Sequence, residues 1–149
     1  MITDKSGSMF VYVMIILLFL FSFTGVMSEV YRVHSIQAHV EYEIQRAVNI
    51  AVEEAMTDSY RQDKINILDT AKAERNLRDY FSVCLGLNNA MAKYKDDALV
   101  YQITCTVSTT ENPPRMQVSG TIIIPSLYPM LATNIEVPFM VSSRNGRVD

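Results

Sequence analysis

The chain has 149 residues and a formal net charge of -3, room for one small domain and an additional segment. That charge, with no basic face carrying interleaved aromatics, excludes nucleic acid as a partner class. Charged residues make up 19% of the chain, yet none falls between Met9 and Met27, so the average hides a strong asymmetry.

The first predicted element is that uncharged run, nineteen residues from Met9 to Met27. A helix crossing the hydrocarbon core of a bilayer needs about 20 such residues. A cleaved secretory signal would have a shorter apolar region of about 7–15 residues and a small-x-small end. The end here, Phe23-Thr-Gly-Val-Met-Ser28, offers no such site. A soluble core helix is rarely apolar on every face for five turns. The run reads as a membrane anchor, preceded by a short polar leader over residues 1–8. Lys5 and Asp4 before it and Glu29 and Arg32 after it leave the positive-inside balance nearly even. The size and β-rich character of the C-terminal half place that half outside the cytoplasm.

No Gly or Pro occurs from Val26 to Leu85, so nothing interrupts the helix at the membrane exit. Apolar residues then recur at Val30, Val33, Ile36, Val40, Ile44, Ala47, Ala51 and Ala55, the three-and-four spacing of an amphipathic helix. Glu29, Arg32, Gln37, Glu41, Gln45, Asn49 and Glu53 fill the rest. Span (9–27) and stalk (28–60) are therefore predicted as one helix over about residues 8–58, about 75 Å long at 1.5 Å per residue. Ala47, Ala51 and Ala55 permit close helix approach, or simply lie beneath the protein's own sheet.

Residues 61–149 form the predicted head. Asp58 to Asp63 ends the long helix. A second helix spans Asp69 to Leu85, with Ala73, Leu77, Tyr80, Phe81 and Cys84 on one face and Gly86 as its stop. Asn88 to Asp97 reads as a short helical turn or a loop. Leu99 to Val107 alternates almost cleanly and is a strand. Glu111-Asn-Pro-Pro114 makes a turn. Met116, Val118, Ile122 and Ile124 mark the inner face of a second strand, with Gly120 a bulge or a point of close approach. Ile135, Val137, Phe139 and Val141 mark a third, placed at an edge because Pro138 cannot donate to a ladder. The apolar loop Ser126 to Leu131 is expected against the stalk, with an exposed binding surface as the other reading. The fold class is α+β: a long transmembrane and stalk helix packed on a small antiparallel sheet, with a second short helix.

Chemistry is sparse. There is no metal-spaced His/Cys cluster, Gly-rich phosphate loop or nucleophile elbow, so neither an enzyme nor a cofactor is expected. His34 and His39 are five apart and fall on different helical faces. Asp96-Asp97 reads as a solvated turn. Cys84 and Cys105 are too few for a disulfide framework. In an exported head, a bridge closing about 20 residues contributes roughly 3 kcal/mol on chain-entropy grounds. A bridge and two free buried thiols are both open readings.

The layout resembles the type IV pilin superfamily and, within it, the TadE-like minor pilins and pseudopilins. Lys5-Ser-Gly-Ser-Met-Phe10 entering the apolar run, Glu29-Val-Tyr-Arg-Val33 at its exit and Gln45-Arg-Ala-Val-Asn-Ile-Ala51 along the stalk carry the resemblance. Val118-Ser-Gly-Thr-Ile-Ile-Ile-Pro125 and Val137-Pro-Phe-Met-Val-Ser-Ser-Arg144 resemble the closing strands. The resemblance implies a membrane-held subunit that a secretion and pilus-assembly machinery extracts and joins to copies of itself or related pilins. It implies leader cleavage between Gly7 and Ser8. The acidic residue usual near the new terminus would then fall at Tyr12, which is no carboxylate, a departure that implies no cleavage or a different docking. Phe10, Val13, Ile16, Leu17, Leu20, Phe23 and Val26 would form the membrane or filament-core face. Burying about 20 such side chains at about 1.5–3 kcal/mol each makes a filament hard to dissolve. The alternative is a membrane-tethered binding or accessory module that does not polymerise.

Overall fold

The computed structural model describes residues 5–63, 68–111, 113–128 and 133–143, with the side chains of residues 5–8 and 57–63 outside that set. Residues 1–4 of the leader and residues 129–131 of the apolar loop lie outside the described residues. The chain divides into two compact units, Met1–Ser35 and Ile36–Asp149.

Helix α1 runs Lys5–Asp63, close to the predicted bounds at both ends. In the first unit its apolar run is uncovered, since every large hydrophobic from Met9 to Phe21 is exposed. Consecutive exposure over thirteen residues covers all faces of a 3.6-residue turn, so no face is a core face. Local contacts do the little ordering there is. Phe19 and Phe23 stack one turn apart at 6.5 Å, and Thr24 Oγ1 donates to the Leu20 carbonyl at 2.8 Å.

In the second unit α1 behaves oppositely. Val40, Ile44, Ala47, Val48, Ala51, Val52 and Ala55 are all buried. Their spacing keeps them on one stripe, while the polar residues between them pair along the helix: Gln37 with Glu41 at 2.8 Å and Gln45 with Asn49 at 3.2 Å. Val33 and Ile36 are half-buried and Val30 is exposed, so the buried stripe begins at Val40, later than the sequence spacing suggested.

Helix α2, Thr70–Val83, is capped by Asp69, whose carboxylate accepts from the Lys72 N–H at 3.0 Å. That satisfies one of the orphan donors of the first turn. Ala73, Leu77 and Phe81 are buried, whereas Tyr80 is half-buried and Cys84 exposed at the fraying end. Gly86 closes the helix with φ 65, a left-handed turn that lets Leu87 N–H reach back to the Phe81 carbonyl at 3.1 Å.

The sheet is a four-stranded antiparallel meander in the order β1-β2-β3-β4: Ala92–Lys95, Ala98–Thr110, Arg115–Pro125 and Asn134–Ser142. Three strands were expected. The additional one, β1, lies where the sequence reads as a loop. Ala-Lys-Tyr-Lys does alternate, but four residues are too few to tell a strand from a loop, so only pairing with β2 reveals it. Asp96 and Asp97 join β1 to β2 with φ of 51 and 61, the two positive angles of a tight hairpin turn. Asp tolerates this region poorly compared with Asn-Gly, which hid the hairpin.

Residues of one sheet face line up as Ile103, Ile122 and Val137, then as Val107, Val118 and Val141, with Val107 exposed. Gly120 sits between Cys105 and Phe139 without a break in register, so it is a close-approach point and not a bulge. A Cβ there would run into the Thr104 carbonyl and come within 2.7 Å of the Cys105 Cα. Pro138 is on the edge strand, as expected. The Ser143 N–H to Met116 carbonyl bond at 2.8 Å fixes the phase of the β3–β4 ladder, which turns the proline nitrogen away from β3. No ladder hydrogen bond is lost. Gln45 Nε2 donates to the Ser142 carbonyl at 2.8 Å, tying α1 to the end of β4.

Candidate functional site

The most unusual surface of the first unit is the helix itself. Phe10, Val13, Ile16, Leu17, Leu20, Phe23 and Val26 range from 44% to 68% exposed. Water does not tolerate such a contiguous apolar surface; it marks a lipid or protein interface. An 18-residue window of this helix reaches a mean hydropathy of 2.5 with none of it buried, so the segment is long and apolar enough to cross a membrane. Gly7 and Ser8 lie within the first turns of α1, their side chains outside the described residues.

Two features at the ends of this run went unread in the sequence. Tyr12 and Tyr31 are both exposed and nineteen residues apart, about 28 Å along a helix. That matches a hydrocarbon core of about 30 Å, and tyrosine favours both of its interfaces. The signal was present as a pair of aromatics at the right separation. Just past the run, Arg32 forms a bidentate pair with Glu29, Nη2 to Oε1 and Nε to Oε2 at 3.0 Å each. Glu29 is only 8% exposed. The pair brings together the first two charges after the run.

Two clefts lie among the described residues of the second unit. One, of about 240 Å³, lies between α1 and α2 and is lined by Ala47, Ala51, Glu54, Asn76 and Tyr80. Asn76 Nδ2 donates to Glu54 Oε2 at 3.1 Å across it. Ala47 and Ala51 thus line this cleft from α1, with α2 across it. The other, of about 750 Å³, runs between α2 and β2. Leu77, Phe81, Leu87 and Ile103 give it apolar walls, and Cys105 lies along it.

Cys84 and Cys105 are free thiols, Cys84 exposed at the end of α2 and Cys105 half-buried on β2. Burial pushes the Cys105 thiol above its ordinary value, so it stays protonated and is a poor nucleophile. Burial also raises the Tyr101 phenol, with the Glu43 carboxylate adding to it. Tyr101 is 2% exposed, and no described residue offers its Oη a hydrogen bond. His34 and His39 are both exposed on α1. Among the described residues no three His, Cys, Asp or Glu side chains gather as a metal site. Leu127 and Tyr128 are exposed, so the described part of the apolar loop is not buried against the stalk as expected. With Pro125 and the Ser126 turn holding them out, they belong to the surface.

Comparison with known proteins gives no matching family model, no matching curated protein and no matching solved structure. The fold is a long apolar helix, a short helix and an antiparallel sheet; it defines a class of protein by layout, a membrane-compatible helix followed by a small α+β head.

Proposed function

We propose that this chain is a pilin-like structural subunit, held in a membrane by Met9–Met27 with its head outside the cytoplasm, and that the same helix becomes the core of a cell-surface filament. The observation that carries the reading is the exposure of that run on every face. Lipid can cover all faces of a helix at once, and so can a ring of identical helices; a single small head cannot. Dispersion and apolar burial hold such a bundle together outside the bilayer. No catalytic role is part of this reading.

A second reading, a tethered module that does not polymerise, is favoured by one specific observation. The apolar stripe of α1 from Val40 to Ala55 is already buried within its own unit, so the stalk needs no second copy for its stability.

Electron microscopy of shear-released surface material, with intact-mass measurement of this chain, separates the two. Filaments in which this chain dominates support the subunit reading, and the mass tells whether residues before Ser8 remain. Retention in the membrane fraction, with no filament containing the chain, rejects it in favour of the tethered module.

A further inference from the structure

Among the described residues of α1, one row stays both uncharged and uncovered from the apolar run into the stalk. It enters through Phe10, Met14, Leu17 and Phe21 of the run. It leaves the run at Thr24 and Ser28, and continues along the stalk as Tyr31, Ser35, Ala38 and Tyr42. The steps alternate between four and three, the heptad spacing of a seam along which two helices coil. In the first unit its large side chains are 44% to 77% exposed, and in the second Tyr42 is 66% exposed. Thr24, Ser28, Ser35 and Ala38 are exposed as well. At 1.5 Å per residue the row is about 48 Å long.

The adjoining rows differ. Met27, Val30 and His34 lead to Gln37 and Glu41, which are half-buried and hydrogen-bonded to each other at 2.8 Å. On the other flank Gly25 leads to Glu29 and Arg32, the bidentate pair. The charges bordering the row are thus engaged within their own helix. A second helix laid on the row meets no opposed like charge.

The row also selects its occupant. Beside Phe10 to Phe21 the occupant must be apolar, beside Ser28 to Tyr42 polar and uncharged, and it must change at the same height. Lipid covers only the first part, and a soluble peptide only the second. A parallel copy of α1 meets both, because its own apolar run ends at the same residue. We propose that two copies of this chain pair in parallel along this row, from within the bilayer to Tyr42. Ser28, Ser35 and Ala38 let the backbones approach, and Tyr31 and Tyr42 pack against their own counterparts. The pairing rests on the membrane reading of the run, and it holds for a filament subunit and for a tethered module alike.

The test uses the full chain in its native membrane, with Cys84→Ser and Cys105→Ser removing the resident thiols. Single cysteines then replace Ser28, Ser35 or Ala38 on the row, and Gln37 off it, and a copper–phenanthroline catalyst oxidises them. Seam positions of parallel helices bring Cα atoms near the distance of about 4.4–6.8 Å that a disulfide spans. The three row variants should shift from monomer to dimer mass on a non-reducing gel, with Gln37→Cys remaining monomeric. Adding Ala38→Lys to Ser35→Cys sets like charges face to face and should remove the dimer band. Absence of dimer at the row positions, in chains that resist carbonate extraction, overturns the pairing and leaves the membrane reading standing. Equal dimer at Gln37→Cys marks random collision or another contact face, and also overturns it. A chain that carbonate extracts overturns the membrane reading and the pairing with it.

Discussion

Residues 9–27 and residues 40–55 are both helical and both rich in apolar side chains, yet they end in opposite environments. The first run has no charge and no covered face; the second alternates with Glu41, Gln45, Asn49 and Glu53 and buries Val40, Ile44, Val48 and Val52. A stripe can be satisfied by one sheet of the same chain. A helix apolar all round needs a surrounding medium, and one short head cannot supply it. Polar spacing, more than apolar content, decides which segment becomes core and which becomes interface.

The largest test of that contrast is to make the first run resemble the second. Replacing Leu17 and Leu18 by Lys costs about 3 kcal/mol for each at the middle of a membrane span. The double variant should leave the membrane fraction on alkaline carbonate extraction, whereas wild type stays. Retention of the variant would remove the membrane reading of the run.

Next in size is a matched pair of deletions. Ile44→Ala should lower head stability by about 3 kcal/mol, as a fully buried site that cannot collapse. Ile16→Ala should leave the denaturation midpoint of the head within about 0.5 kcal/mol of wild type, since the side chain touches no core. Equal effects, read by near-ultraviolet circular dichroism in detergent, would show that the two regions are not distinct.

Gly120→Ala sharpens the picture inside the head. Its Cβ meets the Thr104 carbonyl and the Cys105 Cα, both backbone, so β2 and β3 must part. Overpacking of this kind costs about 1–3 kcal/mol, visible as a lowered urea midpoint. By contrast, Gly86 has nothing within 4 Å of its would-be Cβ, and only its φ of 65 opposes a side chain.

The smallest effect is expected at Tyr101, where the change should help. Its Oη is buried with no described partner, so Tyr101→Phe should gain about 1 kcal/mol at neutral pH. Its phenol is held above the ordinary value by burial and by Glu43, which gives the sign of the pH dependence. The contribution is complete below the unfolded tyrosine value of about 10 and is lost as pH rises through the higher folded value. Wild type should therefore lose stability above about pH 10 more steeply than Tyr101→Phe, in urea titrations across that range.

Much of this arrangement was legible. The uncharged run, the stripe of α1, helix α2 with its Gly86 stop and the edge placement of Pro138 all follow from residue order. β1 was not, because the alternation of Ala-Lys-Tyr-Lys lasts only four residues and the Asp96-Asp97 turn lacks a glycine. Nor was the exposure of Leu127 and Tyr128, since apolar loop residues read alike whether covered or not. The overhang of β2 past β1 could not be read either, because strand length in a sequence says nothing about the length of its neighbour.

The sequence by itself determined periodicity: where charge is absent, where apolar residues recur at three and four or at two, and where Gly and Pro break a pattern. Those are properties of a few consecutive residues, and local backbone geometry converts them directly into helix, strand and face. Tertiary structure alone decided which surfaces find partners. Ala47 and Ala51 of α1 line a cleft shared with α2, Gly120 admits the approach of β2, no described residue offers Tyr101 a hydrogen bond, and β2 outruns β1. Each depends on residues far apart in the chain arriving together, and such encounters are fixed by packing of the whole fold rather than by any local pattern.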